Sequence, residues 1–308
     1  MWYNRDMKKI VVLGSTNTDM VIAGKKIPVP GETISGGTFL MNPGGKGANQ
    51  AVAVARLSAK KGACEFIAKV GDDLFGRETA VRMKRDSIDA KLIVDKKEKS
   101  GTALILVAPN GQNVISVALG ANGTLSPKDI AKHRKDIEGA AALLMQLETP
   151  IETVLAAAKW ASAKGVPVIL NPAPAARLPK ELYACLDWIT PNESEAELLT
   201  GVKVTDAKSA SKAVDVFLKR GVKHVLITMG SKGVYCGDCR KLYSAKRVRA
   251  VDCVAAGDTF NGAFAVALAE GGSCREAIAF AQAAAAISVT RPGAQASVPF
   301  RAEVGVVG

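Results

Sequence analysis

Aromatic residues and histidine are both scarce in this chain. Phe, Trp and Tyr make up 5% of its 308 residues, and the two histidines, His133 and His224, stand far apart. Surfaces that bind nucleic acid interleave aromatics with Lys and Arg, and a histidine-based catalytic or metal centre needs partners that are not supplied here. No apolar run approaches the length of a bilayer span, and the polar stretch from Met1 to Lys9 has no signal-peptide core. A soluble, cytoplasmic protein without a membrane partner is therefore expected. The cysteines, Cys64, Cys185, Cys236, Cys239, Cys253 and Cys274, are dispersed, as reduced thiols of a cytosolic protein are. Cys236-Gly237-Asp238-Cys239 has metal-ligand spacing within what reads as a hairpin turn. No second pair or histidine cluster completes four ligands, so no zinc site is expected there.

Charge is abundant by comparison. The formal net charge is +12, but Lys and Arg are scattered, with only short clusters such as Lys96-Lys97 and Lys246-Arg247-Val248-Arg249. This describes a solvated basic surface that draws an anionic nucleotide and is no footprint for nucleic acid. Apolar residues form 48% of the chain, enough for a sizeable core. Strand-like runs at 9–13, 64–70, 141–147, 166–170, 188–190 and 222–229 alternate with helical patterns at 47–58, 75–86, 151–164, 193–200 and 207–220. That rhythm predicts an α/β fold, a doubly wound, mostly parallel sheet flanked by helices, with ligands at the carboxyl ends of the strands. Runs at 20–23, 32–38, 102–109 and 113–118 lack intervening helices, and Asn110-Gly111 is a hairpin signal between the last two. They predict a small β-sheet lid, from strands within about 20–40 and 101–119, projecting from a single domain spanning 1–308.

The segment from Asp252 to Gly262 reads as a small-residue turn opening a helix. Uncovered N–H groups at the positive end of a helix bind phosphate without side-chain charge. Asp258 is out of place there unless it has its own task, and the obvious one is to take a proton from an attacking hydroxyl. Phosphoryl transfer to an alcohol follows; the alternative for this stretch alone is an ordinary helix start with an acidic first turn. A second glycine cluster, Asn42-Pro43-Gly44-Gly45-Lys46-Gly47-Ala48-Asn49-Gln50, also feeds a small-residue helix, without Walker spacing. Asn17 and Asp19 follow the first strand at alternate positions and suit the vicinal hydroxyls of a sugar, although Asn and Asp also serve turns. Glu148 ends a strand; Thr149-Pro150-Ile151-Glu152 after it reads as a capping box, which leaves Glu148 free for a ligand. Asn192 and Glu195 read as another box, and both are suited to holding magnesium-bound water near a phosphate.

These residues resemble the ribokinase-like carbohydrate kinases, the family that also contains adenosine kinase and the minor phosphofructokinase. Its two signatures correspond to Gly44-Gly45-Lys46-Gly47-Ala48-Asn49 and Ala255-Ala256-Gly257-Asp258-Thr259-Phe260-Asn261-Gly262, and the likeness runs from about Lys9 to Phe300. The resemblance implies ATP-dependent phosphorylation of the ribose 5-hydroxyl, with Asp258 as base. Asn17, Asp19, Gly45, Lys46, Asn49 and Glu148 would hold the sugar. Ala255, Ala256 and Gly257 would form an anion hole. Asn192, Thr228, Gly230, Ser231, Gly233 and Gln282 would line the ATP site, with Glu195 near Mg2+ through water. Asp252, Val254, Ser288, Arg291, Gly293 and Ser297 would hold an activating K+. A homodimer joined through the lids is also implied, since unpaired edges invite a second copy.

Cys253 stands where the family usually has Thr, and Gln282 where some members have His, so nucleotide preference is left open. A kinase of the same family for deoxyribose, another pentose or a nucleoside is one alternative. A non-enzymatic sugar or nucleotide binder is another, and its mark would be loss of the acid that Asp258 supplies.

Overall fold

A computed structural model describes residues 8–305. In chain order β1 (Ile10–Leu13), β2 (Asn17–Ala23) and β3 (Thr38–Gly44) precede α1 (Lys46–Leu57), β4 (Cys64–Gly71), α2 (Leu74–Arg85) and β5 (Asp89–Asp95). The hairpin β6 (Gly101–Val107) and β7 (Asn113–Ala118) leads through short helices α3 (Pro127–Ile130) and α4 (Arg134–Gly139) to β8 (Ala142–Met145). Then come α5 (Ile151–Ala163), β9 (Val168–Leu170), α6 (Lys180–Tyr183), β10 (Trp188–Ile189), α7 (Glu193–Thr200), α8 (Ala207–Lys219) and β11 (His224–Thr228). The described residues end with β12 (Val234–Cys236), β13 (Lys241–Tyr243), α9 (Ala256–Ala269), α10 (Cys274–Ser288) and α11 (Arg301–Val304).

The large sheet has the order β13-β12-β11-β10-β9-β8-β1-β4-β5, parallel except for the antiparallel pairs at β12 and β13. Its strands are apolar on both faces, as helices on both sides require. Val11, Leu13, Leu143 and Leu170 meet α5 and α8 on one side; Ile10, Val12, Phe66 and Leu144 meet α1, α9 and α10 on the other. The chain leaves β1 toward β4 and β5 and later returns through β8 on the opposite flank, so a crevice opens between the ends of β1 and β8. A second sheet, β3-β2-β6-β7, rises from β1 through β2 and returns through β3 to α1.

Several expectations need correction. The segment 32–37 is not a strand: it is polar, with Gly36 at φ 87°, while the β-forming Thr38-Phe39-Leu40-Met41 carries β3 through residues read as a glycine loop, Asn42 to Gly44. Pro43 is tolerated because β3 is an edge strand. Asn17 to Asp19 lie in β2, paired with Gly44, Pro43 and Asn42. No capping box forms at α5, where Pro150 takes the N-cap position and the Thr149 hydroxyl is buried without a partner. Besides the short helices α3, α4, α6 and α11, two longer elements escaped the pattern: β5, punctuated by Asp89, Lys91 and Asp95, and α10, whose alanines blur its apolar stripe.

Helices α1 and α9 cross closely because small residues line both. A Cβ on Gly262 would lie 2.5 Å from the Ala53 Cβ and 3.0 Å from the Gln50 carbonyl oxygen. Gly262→Val is therefore expected to push the helices apart and lower the thermal midpoint, at about 1–3 kcal/mol. An unchanged melting curve would show that the crossing tolerates the added volume.

Candidate active site

The crevice beside β1 gathers polar groups from four segments. Ser15, Thr16 and Asn17 are buried where β1 gives way to β2. Asn17 Oδ1 accepts from Asn122 Nδ2 at 2.8 Å, which fixes the amide at the base of the small sheet. Glu148, just past β8, accepts from the Ser15 hydroxyl and, at 3.0 Å, from the Lys46 backbone N–H. Lys46 occupies the first turn of α1 because Gly45, at φ 87°, turns the chain there, in a region that side-chain-bearing residues avoid. Asp19 shares this environment. Burial, and then the charge of Glu148, push its pKa up from 3.8 to about 6.

Asp258 lies in the first turn of α9 and is 6% exposed. Its carboxylate is held across the close crossing by α1: Asn49 Nδ2 donates to Oδ2 and Gln50 Nε2 to Oδ1, each at 2.9 Å. Gln50 is fixed in turn, its Nε2 also donating to Asn171 Oδ1 at 3.0 Å and its Oε1 accepting from Gln146 Nε2 at 2.6 Å. Two amide donors fix the carboxylate and aim its remaining lone pairs. No side chain caps α9, whose N-cap Ala255 adopts φ 59°. The Ala256 N–H turns back to the Cys253 carbonyl at 3.3 Å. The Ala255, Gly257 and Asp258 N–H groups have no acceptor among the described residues, so of the three donors the sequence implied only that of Ala256 is engaged.

A cleft of about 900 Å³ runs from this helix mouth over the ends of β10 and β11. Asn192, Glu195, Thr228, Gly230, Ser231, Gly233, Ala255, Ala256, Gly257, Asp258 and Gln282 all line it. Lys46 lines it too, so this residue joins the cleft to the Glu148 group. Asn17, Asp19, Gly45, Asn49 and Glu148 do not line the cleft, and Asn49 meets it through its bond to Asp258. The capping box at α7 forms, with the Asn192 N–H and Nδ2 donating to the Glu195 carboxylate at 2.8 and 2.9 Å. Burial holds the Glu195 pKa above its ordinary value. Gln282 Nε2 donates to the Tyr243 carbonyl at 2.9 Å, tying α10 to β13. Lys246 and Arg247, one of the short basic clusters, also face this cleft.

The buried polar group around Glu148, the fixed Asp258 carboxylate and the cleft are thus joined through Lys46, Asn49 and Gln50. The profile of the pfkB family carbohydrate kinases matches residues 7–301. The chain belongs to this family. It is 48% identical to a ribokinase of Haemophilus influenzae, over 96% of this chain and 97% of that protein. It is 37% identical to a deoxyribokinase of Salmonella typhi, over 94% and 95%. Among solved structures, Arabidopsis thaliana ribokinase complexed with ribose and ATP superimposes with a TM-score of 0.90 at 35% identity, covering 97% of this chain and 98% of the other.

Of the residues that the resemblance implied for a cation, Asp252, Val254 and Gly293 are brought together. Asp252 accepts from the Val254 N–H through Oδ1 and from the Gly293 N–H through Oδ2, both at 2.9 Å, and so joins the loop before α9 to the loop after α10. Ser288 and Ser297 are buried, with hydroxyls donating to the Ala285 and Ala294 carbonyls. The Arg291 side chain points to Glu303 instead, at 2.5 Å, leaving only its backbone for such a role. Sequence reasoning missed Ser15, Gln50, Asn122, Gln146 and Asn171. Gln50 alone had a signal, adjoining Asn49 in the glycine-cluster motif.

The raised Asp19 pKa has a consequence for stability. A carboxyl pushed from 3.8 to about 6 on folding favours the protonated form, so it costs the fold nothing below the lower value and up to about 3 kcal/mol above the upper. Asp19→Asn is expected to raise the melting temperature of the ligand-free protein at pH 8 and to do so less at pH 5. An equal gain at both pH values would exclude the buried charge as the cause.

Proposed function

We propose that this chain phosphorylates D-ribose at the 5-hydroxyl with ATP as donor, the ribokinase reaction. The observation that carries the reading is the Asp258 carboxylate, fixed by Asn49 and Gln50 between the sugar-side acceptors and the cleft. Relatives named ribokinase over nearly their full length support the substrate pair.

Asn17, Asp19, Asn49, Glu148 and the Gly45–Lys46 turn bind the hydroxyls of ribose. Asp258 accepts the 5-hydroxyl proton as that oxygen attacks the γ-phosphorus of ATP and ADP leaves. The N–H groups at the mouth of α9 stabilise the charge on the transferring oxygens. A loose transition state asks mainly for alignment, which the two amides on Asp258 supply in advance. Thr228, Gly230, Ser231, Gly233 and Gln282 border the nucleotide, and Lys246 and Arg247 attract its phosphates.

Glu195 fits a magnesium-bound water: it lines the cleft and is 8% exposed, and burial already disfavours its charge, which a nearby cation would relieve. Bound Mg2+ would neutralise phosphate charge there. Oxygen atoms would hold K+ there: the Asp252 carboxylate, carbonyls of Val254, Ser288, Arg291 and Gly293, and an oxygen of the buried Ser297. That cation would steady the loop leading to α9.

The small sheet acts as a lid and joins two copies of the chain. The register places Ile22, Phe39, Met41, Leu104 and Val114 on the face turned away from Asp19, each 45% exposed or more. A second lid would cover this apolar face and exclude water from the sugar. No helix among the described residues is long and apolar enough to cross a membrane, and the six free cysteines suit the cytoplasm.

Asp258→Asn is expected to keep ribose binding and lose at least about a hundredfold in kcat; near-normal turnover would remove Asp258 from the chemistry. In a panel of sugars with ATP and Mg2+, with and without K+, ribose should exceed 2-deoxyribose in kcat/KM and K+ should raise the rate. Light scattering at micromolar concentration should give a dimer mass that Phe39→Asp with Leu104→Asp converts to a monomer. A wild-type monomer would refute the lid-to-lid contact.

A further inference from the structure

The turn between β12 and β13 carries a cluster that the phosphoryl-transfer site does not use. Cys236 ends β12 and is buried, and Cys274 is the first residue of α10. Their sulfurs lie 3.8 Å apart. Asp238 adds a carboxylate oxygen within 4.8 Å of both. Cys239 follows three residues after Cys236 in the same turn. We propose that Cys236, Cys239, Cys274 and Asp238 form a structural zinc site that pins the β12–β13 turn to the start of α10.

The geometry favours a tetrahedral thiophilic ion. Two sulfurs, each about 2.3 Å from a tetrahedral zinc, stand about 3.8 Å apart, which is the separation already present between Cys236 and Cys274. Backbone N–H groups two and three residues after a ligating cysteine, aimed at its sulfur, stabilise a thiolate and orient it toward a metal. Asp238 and Cys239 carry the N–H groups at those two positions after Cys236. Asp238 Oδ2 meets His224 Nδ1 at 2.8 Å, so the carboxylate is oriented by a neighbouring side chain. Cys239 is exposed, its sulfur 3.4 Å from the Tyr243 hydroxyl, and a rotation brings it to the fourth position.

On binding, each thiol gives its proton to solvent and zinc takes the place of the proton now shared between Cys236 and Cys274. The negative charge that accumulates faces the positive end of α10. A third thiol 35 residues beyond the Cys-x-x-Cys pair gives no recognisable spacing, which is why the sequence pointed away from zinc. The consequence reaches the cleft. Gly233 and Val234 on the hairpin and Gln282 on α10 line it together, so an ion joining the two elements braces that wall.

The test is the metal content of the full chain, purified under reducing conditions, loaded with zinc and dialysed against metal-free buffer. About one zinc per chain is expected, and Co2+ in its place should give the intense visible bands of a tetrahedral site with a thiolate charge-transfer band. Zinc should raise the wild-type melting temperature. Cys274→Ser should lose the metal, the charge-transfer intensity and the melting response while keeping its circular dichroism, and Cys239→Ala should weaken binding at least about tenfold. Failure of the wild type to retain zinc, or a cobalt spectrum unchanged in Cys274→Ser, overturns the proposal. So does a Cys236–Cys274 disulfide in protein alkylated at cell lysis, because both sulfurs would then be committed to each other.

Discussion

The crossing of α1 over α9 is the contact on which the rest depends. Gly262 removes the volume that would hold the helices apart, and Ala53 and the Gln50 carbonyl fill the space. The same approach sets Asn49 and Gln50 against Asp258, joining residues about two hundred positions apart through two 2.9 Å hydrogen bonds. Neither helix would place a reactive carboxylate alone. Packing and positioning are here one constraint, since any side chain that widened the crossing would also lengthen those bonds.

A second theme is opposed charge at close quarters. Asp19, Glu148, Glu195 and Asp258 converge on a region where a helix mouth, Lys46 and the Lys246-Arg247 pair favour anions. Burial raises the Asp19 and Glu195 pKa values, so the ligand-free fold carries carboxylates that cost it stability. Sugar hydroxyls and a hydrated cation are the groups that would satisfy them. Strained electrostatics of this kind mark a site built for polar ligands.

Much of the architecture was legible because its signals are local. The strand and helix rhythm from 141 to 228, the α7 capping box and the turn opening α9 follow from periodicity and small-residue chemistry. Those signals failed where a neighbour overruled them. β3 extends through Pro43 and Gly44 because β2 offers a full-length partner, and Thr149 does not cap α5 because Pro150 moves the helix start. The charges in β5 broke an apolar pattern that its position at the sheet edge does not require.

The sequence by itself determined the doubly wound class, the two glycine-rich turns and the identity of Asp258 as the odd acid at a helix mouth, because each is written within a dozen neighbouring residues. Only the tertiary structure decided that Gln50, Gln146 and Asn171 form the amide chain behind that acid, and that Cys274 reaches the Cys236 turn. Such partners are set by the order of strands and the angle of packed helices, and a hydrogen bond or a sulfur contact across more than thirty residues leaves no periodic trace in the chain that makes it.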